Sequence, residues 1–214
     1  MKRLAVFAVV LALTGCGGNG TSTGTNGTTT DAAPTPSSGA PPWPAPPNPM
    51  QLTRKAGLVP ETHEFLKYHV HSHLDVFVNG TPVVVPAGIG IDIDNPAVHS
   101  GTAPDGSPAY GGINPPCAEP CISPLHTHFE DGILHTESKT SKPNRLGQFF
   151  IQWDVRLTPN CVGGFCKPEA PIAIYVNGDR YTGDPRAIGL ENLREIAIVI
   201  GSPPESIPSK FPSG

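Results

Sequence analysis

The chain has 214 residues, of which 37% are hydrophobic and 15% charged, with 27 prolines, 24 glycines and a formal net charge of −4. The first fifty residues cannot contribute a core, so the remainder amounts to one domain of ordinary size. A mildly acidic chain with no basic stripe has nothing to track phosphates, which excludes nucleic acid as a partner.

In chain order, MKRLAVFAVVLALTGC starts with Lys2 and Arg3 and runs apolar from Leu4 to Leu13, too short for a bilayer span and suited to a secretory signal. Its end, Leu13-Thr14-Gly15-Cys16, resembles the lipobox of bacterial lipoproteins. The resemblance implies a lipid on Cys16, residues 1–16 as signal, and an envelope protein held to the membrane by its N-terminus. Loss of Lys2 and Arg3 takes the formal charge from −4 to −6. Export also sets the redox compartment, and the even set Cys117, Cys121, Cys161 and Cys166 then reads as disulfides, local pairing being the simplest of three connectivities. Residues 17–50, Gly/Thr-rich and then Pro-rich, lack the apolar content to offset their ordering entropy and predict a disordered tether, with one globular domain over 51–214.

Within that domain, Pro60 to Lys67 predicts two turns of helix with Phe65 and Leu66 inward and His63 solvated. The stretch from Tyr68 to Val85 predicts a hairpin across Asn79-Gly80; its period of two puts Val70, Leu74, Val76 and Val78 on one face and His69, His71, His73, Asp75 and Phe77 on the other. Asp92 to Pro124 reads as a long loop pinned by Cys117 and Cys121, with no role assigned to His99. Gly132 to Glu137 predicts a strand with His135 and Glu137 on one face. A helix follows, capped by Asn144, with Leu146, Phe149, Phe150 and Trp153 at helical spacing. Cys161 and Cys166 close a short loop, IAIYVNG predicts another strand entering an Asn-Gly turn, and the run from Ile196 to Ile200, apolar on both faces, predicts a central strand. This order defines an α+β fold, a small mixed sheet with one covering helix. It resembles a β-grasp domain with a long inserted loop; a β-sandwich is the alternative.

Five segments, H-x-H-L-x-V-x-V-N-G at His71 to Gly80, P-x-G-I-G-I at Pro86 to Ile91, P-L-H-T-H at Pro124 to His128, G-I-x-H-x-E-S at Gly132 to Ser138 and L-G-Q-F-F-x-x-W at Leu146 to Trp153, resemble a family of uncharacterised exported prokaryotic proteins. The resemblance brings no activity with it.

Six of the eight histidines fall in two short stretches, His69, His71 and His73 in the first and His126, His128 and His135 in the second. Neutral imidazole is the commonest ligand for zinc and copper. Residues i and i+2 of a strand lie roughly 7 Å apart on one face, so each H-x-H pair can reach one ion, whereas His69 and His73 at about 13 Å cannot. These spacings predict one site from His71, His73, His126 and His128, with His135 as a fifth or substitute ligand and His69 and Glu137 as further candidates. The cofactor expected is a divalent transition metal, copper or zinc. A cupin-like motif fails for want of a glutamate four or five residues after His128, and no G-x-S-x-G supports nucleophilic catalysis. Cys117 and Cys121 as a reduced copper pair is the sharper alternative to a disulfide. Two function classes follow: a metal-binding envelope lipoprotein for sequestration, delivery or sensing, and a metal-dependent enzyme with Glu130, Asp131 or Glu137 as general acid or base. An interaction domain whose histidines only brace loops is the third.

Overall fold

The computed structural model describes residues 36–213; the signal sequence, Cys16 and the Gly/Thr-rich part of the expected tether lie outside them. In chain order the elements are α1 (Pro49–Lys55), β1 (Tyr68–Val78), β2 (Thr81–Val83), β3 (His99–Thr102), β4 (Pro108–Gly111), β5 (Leu125–His126), β6 (Ile133–Ser138), α2 (Leu146–Gln152), β7 (Cys161–Val162), β8 (Phe165–Cys166), β9 (Ile172–Val176), β10 (Asp179–Tyr181) and β11 (Arg194–Ile200).

Seven strands form one mixed sheet in the order β10-β9-β11-β1-β6-β5, with β2 also paired to β1. β1 and β11 run side by side in parallel at the centre; the other pairings of this sheet are antiparallel. The fold is thus α+β and sheet-rich, with two short α-helices among the described residues. Among the described residues no second large sheet faces the first, only the two-stranded ribbons β3–β4 and β7–β8, so the sandwich arrangement does not apply.

Both Asn-Gly turns form as the sequence predicts. Asn79 and Gly80 (φ 49° and 79°) join β1 to β2, and Asn177 and Gly178 (φ 52° and 83°) join β9 to β10. Two consecutive positive φ angles match the right-handed twist of the flanking strands, and Asn-Gly reaches them at least cost. Ile196, Ile198 and Ile200 of β11, Leu74 and Val76 of β1 and Leu134 of β6 share a buried core with Phe149 and Phe150 of α2 and Trp153 just after it. The opposite sheet face carries the histidines of β1 and β6 together with Phe77, Glu195, Ala197 and Val199.

Three expectations are corrected. The segment from Pro60 to Lys67 is not helical. Its backbone is spent on another segment: Glu61 N–H donates to Ile122 O (2.7 Å), and Cys121 and Cys117 N–H donate to Glu61 O (2.8 Å) and Thr62 O (2.9 Å). Two isolated helical turns do not outweigh such pairing, and Leu66 stays 63% exposed. Asn144 does not cap α2; its amide donates to Pro124 O and to Thr136 Oγ1, both at 3.3 Å, while Arg145 occupies the N-cap and its N–H is received by Gln148 Oε1 (2.9 Å). The tether expected through residue 50 ends earlier, since the chain packs against the domain from Ser37 onward. Ser37 bridges to Val155, Trp43 is buried edge-on to Trp153 (centroids 5.7 Å apart), and Trp153 Nε1 donates to Trp43 O (2.9 Å). Proline-rich composition concealed a single aromatic residue large enough to hold the strap down.

Both local disulfides form, Cys117–Cys121 and Cys161–Cys166. The first sits in a second small core with Ile91, Val98, Ile113 and Ile122, which gives the long loop its own packing and carries the β3–β4 hairpin. The oxidised pair leaves no thiolates for copper at Cys117 and Cys121, and two disulfides suit an oxidising, extracytoplasmic compartment. Among the described residues no helix is long and apolar enough to cross a membrane.

Candidate metal centre

Sheet register builds the site. β6 pairs with β1 so that His135 faces His71 and Glu137 faces His69, and β5 pairs with β6 so that His126 faces His135. Residues directly opposite in a sheet share a face and lie about 5 Å apart. His126, His135 and His71 therefore form one row across three strands, with Glu137 and His69 in the next row. His128, two residues beyond His126, joins them.

The outcome is a compact group of five imidazoles and one carboxylate. His69 and His71 bring their Nε2 atoms to 2.9 Å, and His126 and His128 bring theirs to 3.1 Å. Glu137 Oε1 lies 3.2 Å from His69 Nε2, 3.4 Å from His135 Nδ1 and 4.0 Å from His126 Nε2. The ring of His135 is 4.4 Å, centroid to centroid, from both His71 and His128. Two sets of ligand atoms, each within 4.8 Å, can hold a metal: His69, His71, His135 and Glu137, and His126, His128, His135 and Glu137.

The outer contacts fix which nitrogen faces inward. His126 Nδ1 lies 2.8 Å from Ser123 O and His128 Nδ1 2.6 Å from Tyr110 O. A carbonyl only accepts, so each Nδ1 carries the proton and each Nε2 presents its lone pair to the cluster. Gly111 leaves room for this arrangement, since a Cβ there would fall 2.5 Å from His128 Nδ1. Burial, then the neighbouring His128, pushes the pKa of His126 down to about 3. Burial and the nearby His135 also lower those of His71 and His128. Burial alone would raise Glu137, but His135, His126 and His69 outweigh it and bring the carboxyl down to about 2. At neutral pH His71, His126 and His128 are thus neutral imidazoles beside an ionised Glu137 carboxylate. Glu137 Oε2 and His135 Nδ1 are buried with no hydrogen-bond partner, a costly condition unless a further group completes them.

Of the ligands expected from sequence, the fold brings together His71, His126, His128 and His135, adds His69 and Glu137, and sets His73 apart. His73 Nδ1 lies 2.8 Å from Glu195 Oε2 and 3.6 Å from Asp75 Oδ2, and its Nε2 donates to Asp131 O (2.9 Å). Burial alone would lower its pKa, but the carboxylates of Glu195 and Asp75 outweigh that and raise it. His73, Asp75 and Glu195 also lie within reach of one cation, but both ring nitrogens of His73 are already engaged.

The cluster opens on one side. A cleft of about 540 Å³ is lined by His69, His128 and Glu137 of the cluster, by Tyr110 and Gly111 of the β3–β4 hairpin, and by Glu64. Glu64 Oε1 stands 3.9 Å from His128 Nε2, and burial followed by the charge of Glu137 raises its pKa. His99, given no role from sequence, lies on the cleft wall. Glu130 and Asp131 line a different surface depression, and Asp131 Oδ1 accepts the N–H of Ile133 (2.9 Å). Glu64 and Glu195 are the residues sequence reasoning missed. Glu195 had a signal, an acidic residue entering an otherwise apolar strand; Glu64 had none once its segment was read as helix.

Comparison with protein-family models, curated proteins and solved structures finds no match to this chain.

Proposed function

We propose that the chain is a bacterial envelope lipoprotein that binds a divalent transition metal, copper or zinc, through His69, His71, His126, His128, His135 and Glu137, for sequestration, delivery or sensing. The observation that carries this is the His126–His128 pair. Both Nδ1 protons are committed to backbone carbonyls, so two Nε2 lone pairs face each other at 3.1 Å. That contact repels unless a cation lies against both, and a proton is disfavoured because burial keeps both rings neutral. For ligands at 2.0–2.1 Å, a right angle at the metal separates two nitrogens by about 2.9 Å and a tetrahedral angle by about 3.3 Å, which brackets the observed spacing. Nitrogen-rich ligation suits copper(II) or zinc rather than magnesium or calcium. Export and anchoring rest on the Leu13–Cys16 lipobox and accord with the disulfides. The β-grasp likeness rests on the strand order, with the first and last strands parallel at the centre and α2 across one face.

Elemental analysis of the purified, metal-loaded protein tests the reading. Bound zinc or copper in at least stoichiometric amount is expected, reduced when His126 and His128 are both replaced by alanine and kept at the parent level in His63→Ala. Equal, trace metal in the parent and the double variant would end the proposal. A second reading, a metal-dependent enzyme, is favoured by the cleft: a metal held by the cluster would be reached from that side, and the Glu64 carboxylate, 3.9 Å from His128 Nε2, would be placed to act as a base toward water there.

A further inference from the structure

The ligand atoms divide into two overlapping quartets, His69 and His71 on one side and His126 and His128 on the other, with His135 and Glu137 common to both. From this division we infer that the centre takes two ions side by side, bridged by the Glu137 carboxylate. The inference rests on the metal-binding reading above. Ligands at 2.0–2.2 Å on one ion are never more than about 4.4 Å apart, and six side chains split into two quartets exceed what one ion gathers. An ion held by His69 and His71 alone would leave the Nε2 lone pairs of His126 and His128 facing each other at 3.1 Å with nothing between them.

Glu137 is the group able to serve both positions. Its Oε1 lies between the pairs, 3.2 Å from His69 Nε2 and 4.0 Å from His126 Nε2, and its Oε2 is buried without a hydrogen-bond partner. Two oxygens give one donor to each ion. A neutral imidazole offers a single lone pair, so His135 completes one position, and burial decides which. The side chains of His126 and His128 are 0% and 13% exposed against 38% for His69. Water cannot finish the shell at the buried end, so three histidines and the carboxylate do. At the exposed end His69, His71 and the carboxylate hold the second ion, whose remaining positions face the cleft and take water or a small donor ligand. Such ions stand ~3.5–4 Å apart, and Glu64, 3.9 Å from His128 Nε2, adds a second negative charge beside them.

The test uses the full-length chain loaded with zinc(II), desalted and measured for zinc per protein, with a parallel copper(II) sample read by electron paramagnetic resonance. Two zinc ions per chain are expected, falling to one in His69→Ala/His71→Ala and to one in His126→Ala/His128→Ala. Two coppers ~4 Å apart couple magnetically, so the parent should show much less signal than its copper content, while each double variant regains the spectrum of an isolated ion. One ion per chain with an isolated-copper spectrum in the parent overturns the two-ion centre and leaves metal binding standing. No retained metal in the parent removes both. The parent stoichiometry and spectrum decide the matter even where a variant fails to fold.

Discussion

His71 and His73 stand two residues apart on the same face of β1, and their surroundings are opposite in kind. Carboxylates surround His73, which has both ring nitrogens engaged and a pKa pulled upward by Glu195 and Asp75. Imidazoles surround His71, whose pKa is pushed down by burial and by His135. The cause lies on the neighbouring strands: β11 sets Glu195 beside His73, and β6 sets His135 beside His71. Spacing along a strand decides which face a histidine takes, but the strand next to it decides whether it becomes half of an ion pair or joins the imidazole cluster.

Replacing His73 would test that contrast most severely. Glu195 is fully buried, and His73→Ala leaves its carboxylate without its partner, a loss on the order of 3–5 kcal/mol. Urea denaturation should show it while the metal content of the folded protein stays at the parent value. A full loss of metal with unchanged stability would show that His73 is a ligand after all.

Acid should separate the two groups as well. The unfolded chain protonates His126 below about 6.5, whereas the folded chain does so only near about 3. Across that window unfolding takes up a proton, so the metal-free protein loses stability as pH falls from 6.5 toward 3, by up to ~4 kcal/mol. Glu137, lowered to about 2, acts in the same sense as pH falls below its unfolded value. His73, raised, acts in the opposite sense: its contribution is complete below the unfolded value and fades as pH rises through the folded one. Melting temperatures measured with a chelator at pH 7 and pH 5 should drop at the lower value, and His126→Gln should flatten the difference. An equal drop in both would assign the effect elsewhere.

The smallest expected effect sharpens the comparison from outside the ligand set. Gly111→Ala puts a methyl group against His128 Nδ1 and disturbs the hydrogen bond to Tyr110 O that aims the ring. Outer contacts of this kind are worth ~10–100-fold in metal affinity, so competition with a chromophoric chelator should show weaker zinc binding without loss of fold. Unchanged affinity would mean that Tyr110 O does not orient His128.

Patterns local to a few residues were legible in the sequence. The two Asn-Gly hairpins, the alternation along β1, the central β11 and the aromatic face of α2 all follow from periods of 2 and 3.6 and from turn chemistry. That His69 rather than His73 is grouped with His71 depends on register: G-I-x-H-x-E-S lies antiparallel to Y-H-V-H-S-H with Glu137 opposite His69, and nothing within either segment states that alignment. Glu64 was hidden by a helical reading of PETHEFLK, whose backbone bonds go to residues 55 to 61 positions away. Trp43 was hidden by its prolines.

The Trp43 strap bears on how the domain would respond to force. Tension arriving from the N-terminal side first meets the hydrogen bonds of Ser37 to Asp154 and Arg156, then that of Gly39 with Gly164, then the Trp43 ring against Trp153. These contacts can peel away one at a time, each yielding at small load. β1 is gripped from Ser72 to Val78 by β11 and from Tyr68 to His73 by β6, so drawing it out would require several hydrogen bonds to shear together. The strap is a mechanical fuse: a tug from the N-terminal side spends itself on Trp43 before it strains the strand that carries His69 and His71.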